Sequence, residues 1–356
     1  MYPALAVLDR LGSEYPDVKT LWIGSEHGME VNLVAKAGIT YKRIPAAGVH
    51  GVGIRHLPGN IIQILKGIAA SRRLLQEFQP DVIFFTGGYV AFPMAVAGFR
   101  IPQVLYVPDI EPGLALKSLA FTADSVAITV GESKKYFLKK GKITVTGYPV
   151  RDGLSNWQEE DAYEFFNFTP EIPTLLVTGG SLGSLSINQA VVNILPDLLS
   201  VVQIIHITGT LTWDQFSDVR SDLNPEERSH YRSFPYLHDE MGAAFSIADL
   251  VLSRAGASCI GEYPHFGIPA ILVPYPHAWQ YQKINAEYLV KNGAASMISD
   301  DQLPTKLLPL VKELVLDSKK LGNMKSAMSS LSTQNSASLI AKMIYEIHSD
   351  RELIRN

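Results

Sequence analysis

The sequence has one cysteine, Cys259, in 356 residues. That excludes an internal disulfide and a zinc site built from several thiolates, and it suits a reducing compartment. Basic charge is not in excess: Lys and Arg number 31 against 35 Asp and Glu, for a formal net charge of -4. With the cations scattered, bulk electrostatics leave no footprint for nucleic acid, and an anionic ligand would need a local site. No apolar run reaches spanning length uninterrupted. The nearest, YVAFPMAVAGFRIPQVLYVP from Tyr89 to Pro108, is cut by Arg100, Pro93 and Pro102 into a short helix and a short strand. At the start, MYPALAVLDRLGSEYP meets Asp9 and Arg10 before an apolar core of signal-peptide length develops. The expected location is the cytoplasm.

What is present is a 47% hydrophobic chain in which short β-branched apolar runs alternate with stretches of helical period. The expected strands are KTLWIG (19–24), DVIFFT (81–86), QVLYV (103–107), SVAIT (125–129), ITVTG (143–147), TLLVT (174–178), VQIIHI (202–207), DLVLS (249–253) and AILVP (270–274). Strands apolar throughout and separated by helices imply parallel sheets covered on both faces, and the pattern occurs twice. Between the two series lies a polar, proline-bounded stretch, Gly147 to Pro173. The expected division is a first domain over 1–151, completed by a C-terminal helix over 337–356, and a second over 152–336. Ligands of open α/β sheets sit beyond the carboxyl ends of the strands, so two facing sheets would present their loops to a shared cleft.

TLLVTGGSLGSLSINQA reads as a strand, a glycine-rich turn and a helix. Gly179, Gly180 and Gly183 permit close approach of the backbone to a ligand, and Ser181 and the amides around Leu182 can donate to phosphate oxygens. The spacing is not G-x-G-x-x-G, and Asp197 falls within a helix, which disfavours a nicotinamide dinucleotide. A competing pattern is G-x-S-x-G over Gly179, Ser181 and Gly183, the nucleophile elbow of α/β-hydrolases, with Asp249 and His277 following in the required order. A second small-residue turn, RAGASCIGE from Arg254 to Glu262, follows the apolar run ADLVLS. Small side chains that end a strand and open a helix leave amides uncovered at the positive end of the helix dipole. Glu262, four residues past Ser258, could accept hydrogen bonds from ribose hydroxyls; the plain alternative makes Ser258 an N-cap and Glu262 a solvated first-turn acid.

GGSLGS, HITG (206–209), PYLHDEM (235–241), RAGASCIGE, GIPAILVPYPHAWQYQKINA (267–286) and NGAA (292–295) together resemble the nucleotide-sugar half of MurG-type glycosyltransferases. In the first half YPALAV, GVHGVG (48–53), FFTGGYVAFP (84–93), PGL (112–114) and TGYPVRDG (146–153) are similar in order and spacing, so the resemblance covers nearly the whole chain. It implies the GT-B fold, two Rossmann-like domains with the donor mainly on the second. It also implies inverting transfer of N-acetylglucosamine from UDP to a polyprenyl-diphosphate-linked sugar, lipid I, in peptidoglycan synthesis. By the same resemblance Gly180, Ser181, Leu182 and the loop amides meet the diphosphate, with Arg151 facing it. Leu237 and His238 hold uracil, largely through backbone. Arg254, Ala257 and Ser258 belong to the phosphate turn, Glu262 binds ribose, and Tyr281 and Gln282 reach the sugar. Plainer roles exist: His238 and His277 as loop histidines satisfied by backbone, Tyr281 as a packing residue. No D-x-D occurs, which fits a helix dipole in place of a metal as stabiliser of the leaving UDP, and no metal or other cofactor is expected.

The first half departs from the family in two places. Where MurG-type enzymes carry H-E-Q-N before P-G-L, this chain has Tyr106, Val107, Pro108 and Asp109. The family's acid is thus Val107 and its asparagine Asp109, which puts acceptor chemistry in doubt. Asp109, Glu111 and His50 are the candidate bases, Asp109 the preferred one, with a loop-capping role as its alternative. The chain also opens directly as a helix, Pro3 in its first turn and Ala4, Leu5, Leu8 and Leu11 as an apolar stripe. The family's first strand and its G-x-G-G-H loop, which carries a proposed catalytic histidine, are then expected upstream of Met1, the alternative being a short form whose sheet lacks a central strand. Finally, His56 to Phe78 places Leu57, Ile61, Ile64, Leu65 and Ile68 at helical spacing beside Lys66, Arg72 and Arg73. Either that face packs on the core, or it docks the protein peripherally on anionic lipid at the cytoplasmic face of the membrane.

Overall fold

A computed structural model describes residues 1–25, 31–47, 57–138, 142–276 and 281–355. The chain divides into two compact units, Met1–Val150 with Asn335–Asn356, and Arg151–Gln334.

The first unit holds β1 (Trp22–Gly24), β2 (Tyr41–Arg43), β3 (Ile83–Phe85), β4 (Gln103–Val107), β5 (Ser125–Ile128) and β6 (Ile143–Val145). All pairings are parallel, but they form two sheets, β1-β2 and β3-β4-β5-β6. Among the described strands β1 pairs only with β2, and β3 only with β4. β4 is buried throughout because helices cover it on both sides. On one face Leu105 and Val107 pack with Met94, Ala95 and Leu119. On the other, Val104 and Tyr106 meet Val7 and Leu11 of the helix Tyr2–Glu14 and Ile340, Ala341 and Ile344 of the helix Ser336–Arg355. These two helices lie together, with Tyr15 stacked on Tyr345 at 4.0 Å between ring centroids. The opening helix has Pro3 in its first turn and buries Ala4, Leu5 and Leu11, as its stripe predicts.

The second unit contributes β7 (Thr174–Thr178), β8 (Gln203–Ile207), β9 (Tyr231–Phe234), β10 (Leu250–Ser253), β11 (Ala270–Leu272) and β12 (Ala295–Met297). They form one parallel sheet in the order β12-β11-β10-β7-β8-β9. From β7 the chain winds outward through β8 and β9, then crosses back to β10. The switch point therefore lies between β7 and β10, and the crevice beyond their carboxyl ends is where such sheets take ligands. On one face Leu175, Val177, Leu250 and Leu252, all fully buried, pack with Ile187 and Val191 of the helix Leu185–Asn193 and Leu307 and Val311 of the helix Leu303–Leu316.

All nine expected strands are present, β4 and β7 at their expected bounds and the other seven trimmed at their ends. Three were not expected: β2, β9 and β12, each of which lies at the edge of its sheet and is only partly buried. A strand with one flank in solvent has no need of a continuous apolar run, so periodicity does not reveal it. The helix expected near 56–78 spans Leu57–Phe78. It is not simply core-facing: Ile61, Ile62 and Leu65 are exposed, while Ile64 and Ile68 are half-buried.

Candidate functional site

The loop after β7 is shaped by backbone contacts that leave no room for side chains. Gly183 has φ +90°, and a Cβ there would stand 2.1 Å from the carbonyl oxygen of Thr208. Gly209, φ +89°, lies against the same residue: its Cβ would meet the Cα of Gly183 at 2.1 Å. The carbonyl of Ser181 accepts from the Thr210 amide at 3.3 Å, and that of Leu182 from the Leu211 amide at 3.3 Å. The loops after β7 and β8 are thus pinned to each other. Gly180 differs, with φ +89° and open space where a side chain would be. Ser181 and Leu182 beside it are exposed. Amides and a hydroxyl free of covering side chains at the start of the helix Leu185–Asn193 suit a phosphate.

Below this loop lies a polar network that the sequence did not reveal. His206 is fully buried, with Nδ1 2.8 Å from the Tyr231 hydroxyl and Nε2 3.1 Å from Asn188 Oδ1. Asn188 Nδ2 donates to the carbonyl of Thr208 at 2.8 Å and to Thr212 Oγ1 at 3.0 Å. Burial drives the His206 pKa down from 6.5 to about 3, so the imidazole is neutral and serves as a structural strut. The only available signals were an asparagine and a histidine set among apolar residues, in SINQAVV and QIIHI.

On the other side of the switch point, β10 runs into Arg254, a 3-10 turn over Ala257–Ile260 and the short helix Glu262–Phe266. The single helix expected there is therefore replaced by a tight turn and a separate helix, because Gly261 between them adopts φ -132°, ψ -57°. Asn285 Nδ2 holds the turn by donating to the carbonyl of Ala255 at 3.1 Å. Burial raises the Glu262 carboxyl from 4.5 to about 7; the Arg151 cation and a hydrogen bond from Ser258 partly offset that cost. Arg151 Nη1 is also 3.8 Å from Asp239, a mostly exposed carboxylate. Arg254 has its guanidinium engaged by Val273, Asp300 and Ser186.

The remaining candidates of the second unit stand at the same sheet edge. After β9, Leu237 is buried and His238 exposed, and the His238 amide donates to Glu240 Oε2 at 3.0 Å. Tyr281 and Gln282 open the helix Tyr281–Lys291, partly buried, and Gln282 Oε1 accepts from the Tyr275 amide at 2.9 Å. His277 lies outside the described residues, as does His50.

The hydrolase pattern does not assemble. Ser181 follows the carboxyl end of β7, whereas the Asp249 carboxylate accepts from the Thr174 amide at 2.9 Å at that strand's beginning. Nucleophile and acid stand at opposite ends of a five-residue strand. In the first unit Tyr106 is fully buried with its hydroxyl 2.9 Å from Thr129 Oγ1, and Val107 is core. Asp109, partly buried, follows the carboxyl end of β4, while Glu111 is paired with Lys117 at 3.0 Å. Among the described residues no group of three or more His, Cys, Asp or Glu could hold a metal ion.

Two small-residue turns thus flank the switch point of a parallel sheet with a carboxylate beside them, where such sheets take ligands. Residues 174–343 match the glycosyltransferase family 28 C-terminal domain, and residues 1–128 the glycosyltransferase family 28 N-terminal domain. The chain belongs to glycosyltransferase family 28. It is 34% identical, over 98% of its length and 95% of the relative's, to the UDP-N-acetylglucosamine--N-acetylmuramyl-(pentapeptide) pyrophosphoryl-undecaprenol N-acetylglucosamine transferase of Desulforamulus reducens. Its fold is shared with the crystal structure of Acinetobacter baumannii MurG, at TM-score 0.73 and 22% identity over 97% of this chain and 95% of that one. The UDP-GlcNAc 2-epimerase of Neisseria meningitidis shares the fold at TM-score 0.68 and 14% identity, covering 97% of this chain and 96% of that one. The GT-B class expected from the sequence holds.

Proposed function

We propose that this chain is an inverting hexosyltransferase that moves N-acetylglucosamine from UDP-N-acetylglucosamine to a polyprenyl-diphosphate-linked muramyl sugar, converting lipid I to lipid II in peptidoglycan synthesis. The observation that carries this reading is the pair of uncovered turns, at Gly180–Leu182 and Ala257–Ser258, flanking one switch point with Glu262 beside them. In it the amides of both turns and the Ser181 hydroxyl hold the diphosphate, with Arg151 as the nearby cation, while the Ser258 hydroxyl stays on Glu262. Leu237 and His238 meet uracil through backbone, Glu262 accepts from the ribose hydroxyls, and Tyr281 and Gln282 reach the sugar.

Transfer proceeds by in-line attack of an acceptor hydroxyl on the anomeric carbon. The bond to UDP breaks with its electron pair on the phosphate oxygen, and oriented amides stabilise that charge. The acceptor proton passes to a base, the role assigned to Asp109; its place after the carboxyl end of β4 is where an open α/β sheet presents ligand groups. No metal is assigned a role in this reading.

No helix among the described residues is long and apolar enough to cross a membrane. The proposed location is the cytoplasm, peripherally on the inner face of the cell membrane. Support comes from the exposed Ile61, Ile62 and Leu65 on the helix that carries Lys66, and from exposed Phe99 against Arg100.

The test is transfer of labelled N-acetylglucosamine from UDP to a lipid I analogue, with UDP release followed and EDTA present in a parallel reaction. Labelled disaccharide-lipid formed equally with and without EDTA is expected. Donor binding without turnover would leave a catalytically incompetent binding protein, and a changed sugar nucleotide formed without acceptor would make the chain an epimerase.

A further inference from the structure

One guanidinium ties together four neighbouring strands of the second sheet. Arg254 follows β10, and its side chain is only 12% exposed. Its Nη1 donates to the carbonyl of Val273, just past β11, at 3.1 Å, and to Asp300 Oδ1, beyond β12, at 2.9 Å. Nη2 donates to Ser186 Oγ at 2.8 Å, in the helix that follows the β7 loop. Ser186 in turn donates to the same Asp300 oxygen at 2.8 Å, and the guanidinium carbon lies 5.3 Å from the centre of the Tyr275 ring. Since β12, β11, β10 and β7 are adjacent in that order, the fork closes a bridge across the edge where both phosphate turns stand.

We propose that Arg254 is a positioning residue for the diphosphate end of the donor, with Asp300 as its counter-charge, and that it does not itself contact phosphate. The inference rests on the donor reading above. Arg254 acts on the β7 loop through Ser186 and on Ala257 and Ser258 through its own backbone. Two features favour this over direct contact. The charge of Arg254 is already met by Asp300 at hydrogen-bonding distance, and pulling it away would leave a half-buried carboxylate unpaired. The planar fork reaches three acceptors on three segments, a geometry that a point charge cannot reproduce.

A double-mutant cycle with calorimetry separates the alternatives. Wild type, Asp300→Ala, Arg254→Ala, the double variant, Asp300→Asn and Arg254→Lys are each titrated with UDP and with uridine, alongside thermal unfolding. Positioning predicts that Asp300→Ala and Arg254→Ala each weaken UDP by about tenfold, and that the double variant is little worse than either, because the two act as one coupled unit. It predicts that Arg254→Lys does not rescue and that uridine affinity is unchanged in every folded variant. Unchanged or tighter UDP binding in Asp300→Ala or Asp300→Asn would mean that freeing the guanidinium is harmless, which overturns the proposal. So would rescue by Arg254→Lys, or equal losses for UDP and uridine. Should the alanine variants fail to fold, Asp300→Asn and Arg254→Lys carry the same decision. Failure of wild type to bind UDP sinks the donor reading and this inference together; a wild type that binds while Asp300→Ala matches it sinks only the bridge.

Discussion

Glu262 sits where burial pulls its proton on and Arg151 and Ser258 push it off, with burial the stronger, which leaves the carboxyl near 7. Only the ionised form offers every lone pair to ribose hydroxyls. Affinity for UDP-N-acetylglucosamine, whose diphosphate does not titrate in this range, should therefore rise as pH climbs from about 6 to about 8. Glu262→Gln should flatten that dependence, and Glu262→Ala should cost on the order of 1.5 to 3 kcal/mol of donor binding at pH 8, measured by calorimetry. Stability should move the opposite way. The unfolded chain releases this proton near 4.5, before the folded one does, so stability contributed by Glu262 falls as pH rises from 4.5 towards about 7. The residue was legible in the sequence because it stood at fixed distance from a run of small side chains. Its raised pKa was not, since Arg151 is far away in the chain and burial is a property of the packed unit. Asn188 and His206 escaped for the same reason, and so did the partners of Arg254, itself a sequence candidate: in each case the contacts lie 18 or more positions away.

At the scale of elements, the strands that read as apolar runs were recovered, edge strands β1, β3 and β6 among them, whereas β2, β9 and β12, edge strands without such a run, were not. The glycine-rich turn was legible as a place of close approach, although the sequence could not say what approaches. It is the backbone of Thr208 and Gly209. Gly183→Ala should consequently cost on the order of 1 to 3 kcal/mol from the positive φ alone, with the clash at Thr208 adding to it. The check is a lowered unfolding midpoint together with weakened UDP binding. The helix Leu57–Phe78 carries a different expectation, because three of its apolar residues face outward. Leu65, 60% exposed, can be replaced without opening a core. Leu65→Glu should reduce sedimentation with vesicles of anionic phospholipid while leaving the unfolding midpoint unchanged; undiminished sedimentation would remove this residue from the docking surface.

For the molecule as a whole, the two units differ in how the chain composes them. The second is one continuous segment, Arg151–Gln334, whereas the first is assembled from Met1–Val150 and Asn335–Asn356. Ile340, Ala341 and Ile344 from the late segment cover Val104, Tyr106 and Ala127, and burying each isoleucine contributes about 1.5 to 3 kcal/mol. A chain ending at Gln334 should therefore lose cooperative unfolding of its first unit while the second unfolds as before and keeps its affinity for UDP; calorimetric scanning and titration read the two outcomes separately. The order of synthesis follows from the same layout. A ribosome makes every residue of the second unit before it makes the covering helix of the first. The nascent chain thus carries all the residues of its second unit before β4, the strand that Asp109 follows, acquires its second layer, and any chaperone that attends this protein would be engaged longest by the first unit.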